Sequence, residues 1–128
     1  MKILLDTNRY RDLCAGDPDV LETIQVADTI NLPFVVLAEL RSGFLCGSRS
    51  RQNEQFLVRF LNSERTEVLY ADENTTHHFA QVFAQLRKQG SPIPVNDIWI
   101  AALAIQHDLL LYSRDQHFDN LAQIARIG

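Results

Sequence analysis

Short apolar runs, each halted by a carboxylate, a proline or a polar cluster, alternate along this chain with longer stretches whose apolar residues recur every three or four positions. That rhythm constrains the fold more than any other feature. A run too short for a helix and apolar throughout reads as a strand buried on both faces. Such strands need helices to cover them, and strands alternating with helices build an open, mostly parallel sheet. Strands are expected at Lys2–Asp6, Thr29–Leu32 (closed by Pro33), Thr66–Tyr70 and Leu109–Tyr112, with a final edge strand at Gln123–Ile127. Helices are expected over Asn8–Cys14, Asp19–Ala27, Val35–Leu45 and Ser50–Asn62. Another should run from an N-cap at Asp72 through Gln89, and a further one from Asn96 or Asp97 to about His107. A helical turn is expected at Phe118–Leu121. In such sheets ligands bind beyond the carboxyl ends of the strands, where strand order switches.

Composition narrows the class. At 128 residues the chain has the length of one domain, and no linker or repeat divides it. Apolar residues make up 46% and charged residues 22%, so a packed core is expected and disorder is not. No apolar run is long enough for a membrane span, and the first run ends at Asp6, so neither a membrane anchor nor a secretory leader is expected. Two cysteines, Cys14 and Cys46, make no disulfide framework and no four-thiolate zinc site, which leaves a reducing cytoplasm as the expected compartment. Both are read as small, buried or half-buried thiols. The net charge of −4 excludes nucleic-acid binding through bulk positive charge but permits a local basic surface.

Four acids carry the chemistry. Asp6 follows Ile3-Leu4-Leu5, Glu39 lies within Phe34–Leu40, Asp97 opens the apolar segment through Ile105, and Asp115 follows Leu109–Tyr112. A carboxylate at the edge of a core is costly unless paired, hydrogen-bonded or bound to metal. Asp6 and Asp115, each after a central parallel strand, would face one cleft, and the helices carrying Glu39 and Asp97 could reach it. Bare carboxylates about 4 Å apart repel by roughly 4 kcal/mol per pair at an effective dielectric near 20. A divalent cation removes that cost, and an all-oxygen set suits Mg²⁺ or Mn²⁺ better than zinc. Each acid also has an ordinary reading: Asp6 as a helix cap, Asp97 as a charge favoured by a helix dipole, Asp115 as a turn residue. Only Glu39, inside an apolar helix, lacks one. Asp119 reads as a solvated acid.

Four motifs in order, Leu4-Leu5-Asp6-Thr7-Asn8, Pro33–Leu40, Asn96–Ala102 and Ser113–Phe118, resemble those of the PIN-domain nucleases, specifically the VapC-type toxins of type II toxin–antitoxin pairs. The resemblance spans nearly the whole chain. It implies a PIN-like three-layer α/β/α sandwich and a metal-dependent endoribonuclease that leaves a 5′-phosphate and a 3′-hydroxyl. Carried over by position, Asp6, Glu39, Asp97 and Asp115 would be the catalytic, metal-binding set, with Thr7, Asn8 and Ser113 in support. A homodimer and a VapB-type antitoxin are implied as well. Two departures stand out. Ser113 replaces a frequent threonine but keeps the hydroxyl. Arg9 and Arg11 place charge on a first helix that is more often apolar, where it could touch RNA or antitoxin.

Outside the motifs, Arg41–Asn53 carries Arg41, Arg49 and Arg51 and no acid, which reads equally as a phosphate track or as a solvated helix end. Trp99 and Ile100 read as core. His77 and His78 read as outer helix positions. His117 lies two residues after Asp115, where a minor role near the site is expected. Two rival functions remain at this stage. One is a phosphohydrolase with Asp6 as nucleophile, similar to the haloacid-dehalogenase enzymes, although Asn8 stands where their second aspartate belongs. The other is a non-catalytic module that binds RNA or protein.

Overall fold

Each expected strand forms, and each lies parallel to its neighbours. A computed structural model describes all residues from Met1 to Gly128. In chain order the elements are β1 (Lys2–Leu5), α1 (Thr7–Cys14), α2 (Pro18–Val26), β2 (Thr29–Pro33), α3 (Phe34–Cys46) and α4 (Ser50–Leu61). They continue with β3 (Thr66–Leu69), α5 (Glu73–Gln89), α6 (Val95–Gln106), β4 (Leu110–Tyr112), a 3₁₀ turn (Gln116–Asn120) and β5 (Arg126–Ile127). The five strands lie in the order β3-β2-β1-β4-β5. Chain order therefore runs outward from β1 through β2 to β3, then returns to β1's other side with β4. The switch falls between β1 and β4, whose register pairs Ile3 with Leu110 and Leu5 with Tyr112.

The central strands are apolar because both faces are covered. Ile3, Leu4, Leu5 and Leu111 have no exposed surface, and they join a continuous core of 28 residues. Burying one such side chain is worth about 1.5–3 kcal/mol. The one polar residue within β2's buried run, Asn31, donates from Nδ2 to the Ile3 carbonyl at 3.1 Å, which satisfies it inside the sheet.

Local chemistry sets the helix ends. Asp17 caps α2, with Pro18 at its first position. Asp72 and Thr75 form a reciprocal capping box on α5, and Gly90, at φ 70°, closes that helix in the left-handed conformation. α3 follows β2 with no intervening loop, because Pro33 ends the strand and leaves the helix start free of a lost N–H bond.

Three sequence expectations change. Cys14 and Cys46 are exposed, each as the last residue of its helix. Phe56 and Phe83, whose helical spacing with Leu57, Phe60 and Leu61 and with Phe79, Val82 and Leu86 predicts apolar faces on α4 and α5, are 46% and 47% exposed; Leu57 is the buried residue of α4, and Thr75, Val82 and Leu86 are those of α5. The edge strand at Gln123–Ile127 contracts to Arg126–Ile127, because Leu121 and Ile124 leave the strand path to fill the core.

Candidate active site

Helix N-termini hold three of the four acids. Asp6 is the N-cap of α1 and Asp115 that of the 3₁₀ turn, while Asp97 lies in the first turn of α6. The aligned N–H dipoles at these ends favour negative charge. The ordinary readings of these acids are thus correct as local structure, yet they leave oxygens free. Asp6 uses Oδ1 to accept from the Thr7 N–H at 2.7 Å, and Asp115 uses Oδ1 to accept from the His117 N–H at 2.9 Å. Glu39 is the exception, placed midway along α3 and only half-buried.

All four line one cavity of about 410 Å³ at the carboxyl ends of β1 and β4, together with Thr7, Asn8, Arg11, Asn96 and His117. This is the switch point, as the parallel-sheet rule requires. Neutral donors organise the acids. Ser113 Oγ donates to Asp6 Oδ2 at 2.6 Å and accepts from the Asp115 N–H at 3.0 Å, so one hydroxyl ties β1 to the turn after β4. Thr7 Oγ1 donates to Glu39 Oε2 at 2.7 Å, and Asn96 Nδ2 donates to Glu39 Oε1 at 3.0 Å. His117 Nδ1 lies 2.7 Å from Asp97 Oδ2 and 3.1 Å from Asp115 Oδ1.

No lysine or arginine side chain bridges any of the four. Arg114 pairs with Asp12 and Arg41 with Glu54, away from the acids to which they are close in sequence. His117 alone offers a cationic partner, to Asp97 and Asp115, and Asp6 and Glu39 have none. Burial pushes the Asp6 carboxyl above its usual range, against the opposing hydrogen bonds from Ser113 and Thr7, and Asp115 and Glu39 push it further. Burial likewise raises Asp97 to about 6, with Asp115 and Asp6 adding to the rise and His117 opposing it. His117 is raised in turn, chiefly by its hydrogen bond to Asp97. An oxygen-rich donor set with buried, unpaired negative charge fits a divalent cation. The ligand atoms of Asp97, Asp115 and His117 all lie within 4.8 Å of one another, close enough to share one ion.

Comparison with known proteins decides the family. The PIN domain model matches residues 3–124. This chain is a PIN domain. Among curated relatives, ribonuclease VapC1 of Haemophilus influenzae strain R2866 is 30% identical over 119 residues, covering 90% of this chain and 87% of that one. The PIN fold is shared with solved structures at high similarity. VapBC2 from Rickettsia felis, bound to a DNA fragment from its promoter, superposes with a TM-score of 0.88 at 25% identity, covering 99% of this chain and 98% of that one. VapBC-1 from nontypeable Haemophilus influenzae gives 0.87 at 27% identity, covering 99% and 97%. The chain thus lies in the VapC branch of the PIN family.

Within this PIN domain, Asp6, Glu39, Asp97, Asp115, Thr7 and Asn8 line the cavity, and Ser113 sits buried behind it. Arg41, Arg49 and Arg51 do not line it. Arg41 is held by Glu54 through bonds of 3.0 Å from Nε and Nη2, while Arg49 and Arg51 are exposed. Sequence reading undervalued His117 and missed Asn96 as a partner of Glu39. The signal for both was present: each adjoins a motif acid, Asn96 directly before Asp97 and His117 two after Asp115.

Proposed function

We propose that this chain is the toxin of a toxin–antitoxin pair, an endoribonuclease that hydrolyses RNA phosphodiester bonds with Mg²⁺ or Mn²⁺. One observation carries the reading: four carboxylates from distant parts of the chain converge on one cavity with no Lys or Arg side chain paired to them. Asp6, Glu39, Asp97 and Asp115 would hold the ion. When bound, a divalent cation neutralises charge developing on the phosphate and acidifies the attacking water. The protein's own part is positioning. Ser113 fixes Asp6, while Thr7 and Asn96 fix the two oxygens of Glu39. His117 holds Asp97 beside Asp115, and a carboxylate of the set takes the proton lost by water. Asn8 supports the phosphate from the cavity wall. Arg49 and Arg51, exposed and without acidic partners, contact RNA further out, with Arg41 subsidiary because Glu54 holds it.

Its structural neighbours from Rickettsia felis and Haemophilus influenzae are VapBC structures, which supports a VapB-type antitoxin as partner. A homodimer fits the large apolar side chains left on the surface, among them Leu45 at 80% and Val26 at 65% exposed. No helix is long and apolar enough to cross a membrane, and we place the protein in the cytoplasm, where RNA is its substrate. The family match leaves the aspartyl-phosphate reading without support. The deciding experiment is cleavage of labelled total RNA by the purified chain with and without chelator, beside Asp6→Asn. Wild-type cleavage should need a divalent ion, and the variant should lose it while keeping the native circular dichroism spectrum. Cleavage by Asp6→Asn at the wild-type rate would refute the assignment.

A further inference from the structure

The acidic cavity has one guanidinium on its wall. Of the residues lining it, Arg11 is the only lysine or arginine, and the exposed Arg11 side chain makes no ion pair or hydrogen bond within the chain. Its neighbours on α1 and after β4 are occupied instead: Arg9 and Arg114 both bind Asp12. A cation beside four carboxylates would be expected to collapse onto one of them. Arg11 pairs with none of them, and several of the nearby oxygens already accept from short donors. Thr7 and Asn96 take both oxygens of Glu39, Ser113 and the Thr7 N–H take both of Asp6, and His117 takes Asp97 and Asp115. The guanidinium lies instead over α3 at Gly43, where an added Cβ would sit 3.5 Å from Nη2. There it also lines a second cavity, of about 490 Å³, with Tyr10, Phe44, Gln52 and Asn53. Arg11 is the one residue common to both cavities.

We propose that Arg11 is a substrate-binding residue that grips an RNA phosphate adjoining the scissile one and guides the strand from the acidic cavity into the neighbouring groove. The inference rests on the endoribonuclease reading and names a contact within it. A phosphate chain entering a cavity lined by carboxylates is repelled, and the ion offsets that repulsion only at the scissile phosphate. The next phosphate along the strand needs its own counter-charge. A planar, unpaired guanidinium at the junction offers two parallel N–H donors to its oxygens, which lysine cannot reproduce. Arg11 holds substrate in the ground state and the transition state alike, so its loss acts on binding rather than on the chemical step.

The test measures binding and turnover separately. Single-stranded RNA of mixed sequence, about 20 nucleotides long and fluorescein-labelled, is titrated with Asp6→Asn and with Asp6→Asn/Arg11→Ala across a range of salt concentrations. Anisotropy should show binding about tenfold weaker in the double variant. The slope of log K against log salt should shrink by about 0.7, one phosphate contact to a single strand. On the active background, Arg11→Ala should raise KM with kcat little changed, and Arg11→Lys should restore the salt slope but only part of the affinity. An unchanged slope together with an unchanged KM overturns the proposal while leaving RNA cleavage intact. Unchanged RNA binding with weakened binding of the antitoxin also overturns it, and assigns Arg11 to the protein partner. A wild-type chain that neither binds nor cuts RNA removes the endoribonuclease reading along with this one.

Discussion

His117 shows how much one side chain can organise. Its ring reaches from the turn after β4 to Asp97 on α6, while its own backbone N–H donates to the capping carboxylate of Asp115. Removing the ring leaves two carboxylates facing each other with no donor between them. His117→Ala should weaken Mn²⁺ binding by about 10–100-fold, the usual effect of losing a partner that orients metal ligands, and calorimetric titration will measure it. Asp97 makes a pH prediction. Its folded-state pKa of about 6 lies above the ordinary aspartate value of 3.8, so the folded chain holds more protons than the unfolded one between those values. His117, raised as well, acts in the same direction: its contribution is present at low pH and lost as pH rises through its folded value. Without metal, the melting temperature should therefore rise as pH is lowered from about 7.5 to 5.5. Asp97→Asn should flatten that rise in a calorimetric scan; an unchanged profile would contradict the assignment. Asp12 works the opposite way at lower pH, since Arg114 holds its carboxyl down, and that stabilisation is lost below the ordinary carboxylate range. At this scale the sequence was only partly legible. The four acids stood out because each broke an apolar run. Asn96 and His117 adjoin motif acids in the sequence, but their partners follow only from the fold: α6 meets α3 to bring Asn96 to Glu39, and it meets the turn after β4 to bring His117 to Asp97.

Elements were far easier to read. Apart from the last edge strand, strands and helices fall within a residue or two of their expected bounds because period, caps and prolines all point the same way, as with Asp72 and Gly90 around α5. Exposure was harder. Phe56 and Phe83 carry helical spacing that matches a buried stripe, yet α4, packed on α3 and β3, and α5, packed on α6, each bury a narrower arc than their apolar residues span. α4 makes the point energetically: Leu57 is its single fully buried residue. Leu57→Ala should cost about 2–5 kcal/mol, the range for a core leucine, whereas Phe56→Ala should leave chemical stability nearly unchanged in urea titrations. Asp17→Ala should cost about 1 kcal/mol by removing the acceptor, Asp17 Oδ1, to which the Asp19 and Val20 N–H groups donate. Equal losses for Leu57→Ala and Phe56→Ala would show that the packing of α4 is misassigned.

For the whole molecule, the sheet order turns a list of distant acids into a site. The resemblance carried by the four motifs named the fold, and the β1–β4 switch explains why those motifs meet. A bound ion should therefore stabilise the molecule globally: at about 100 times its Kd, Mn²⁺ should add roughly 2.7 kcal/mol, seen as a rise in melting temperature that is larger at pH 7.5 than at pH 5.5 because protons compete for the same oxygens. No rise at either pH would argue against a resident cation. The Ser113–Asp6 hydrogen bond spans 107 residues, joining the first strand to the turn behind the fourth. While the ribosome is still making the chain, β1 has no β4 to lie against, and Asp6 lacks both Ser113 and Asp115. A partly synthesised copy accordingly lacks the assembled site, which is completed only when translation has nearly finished.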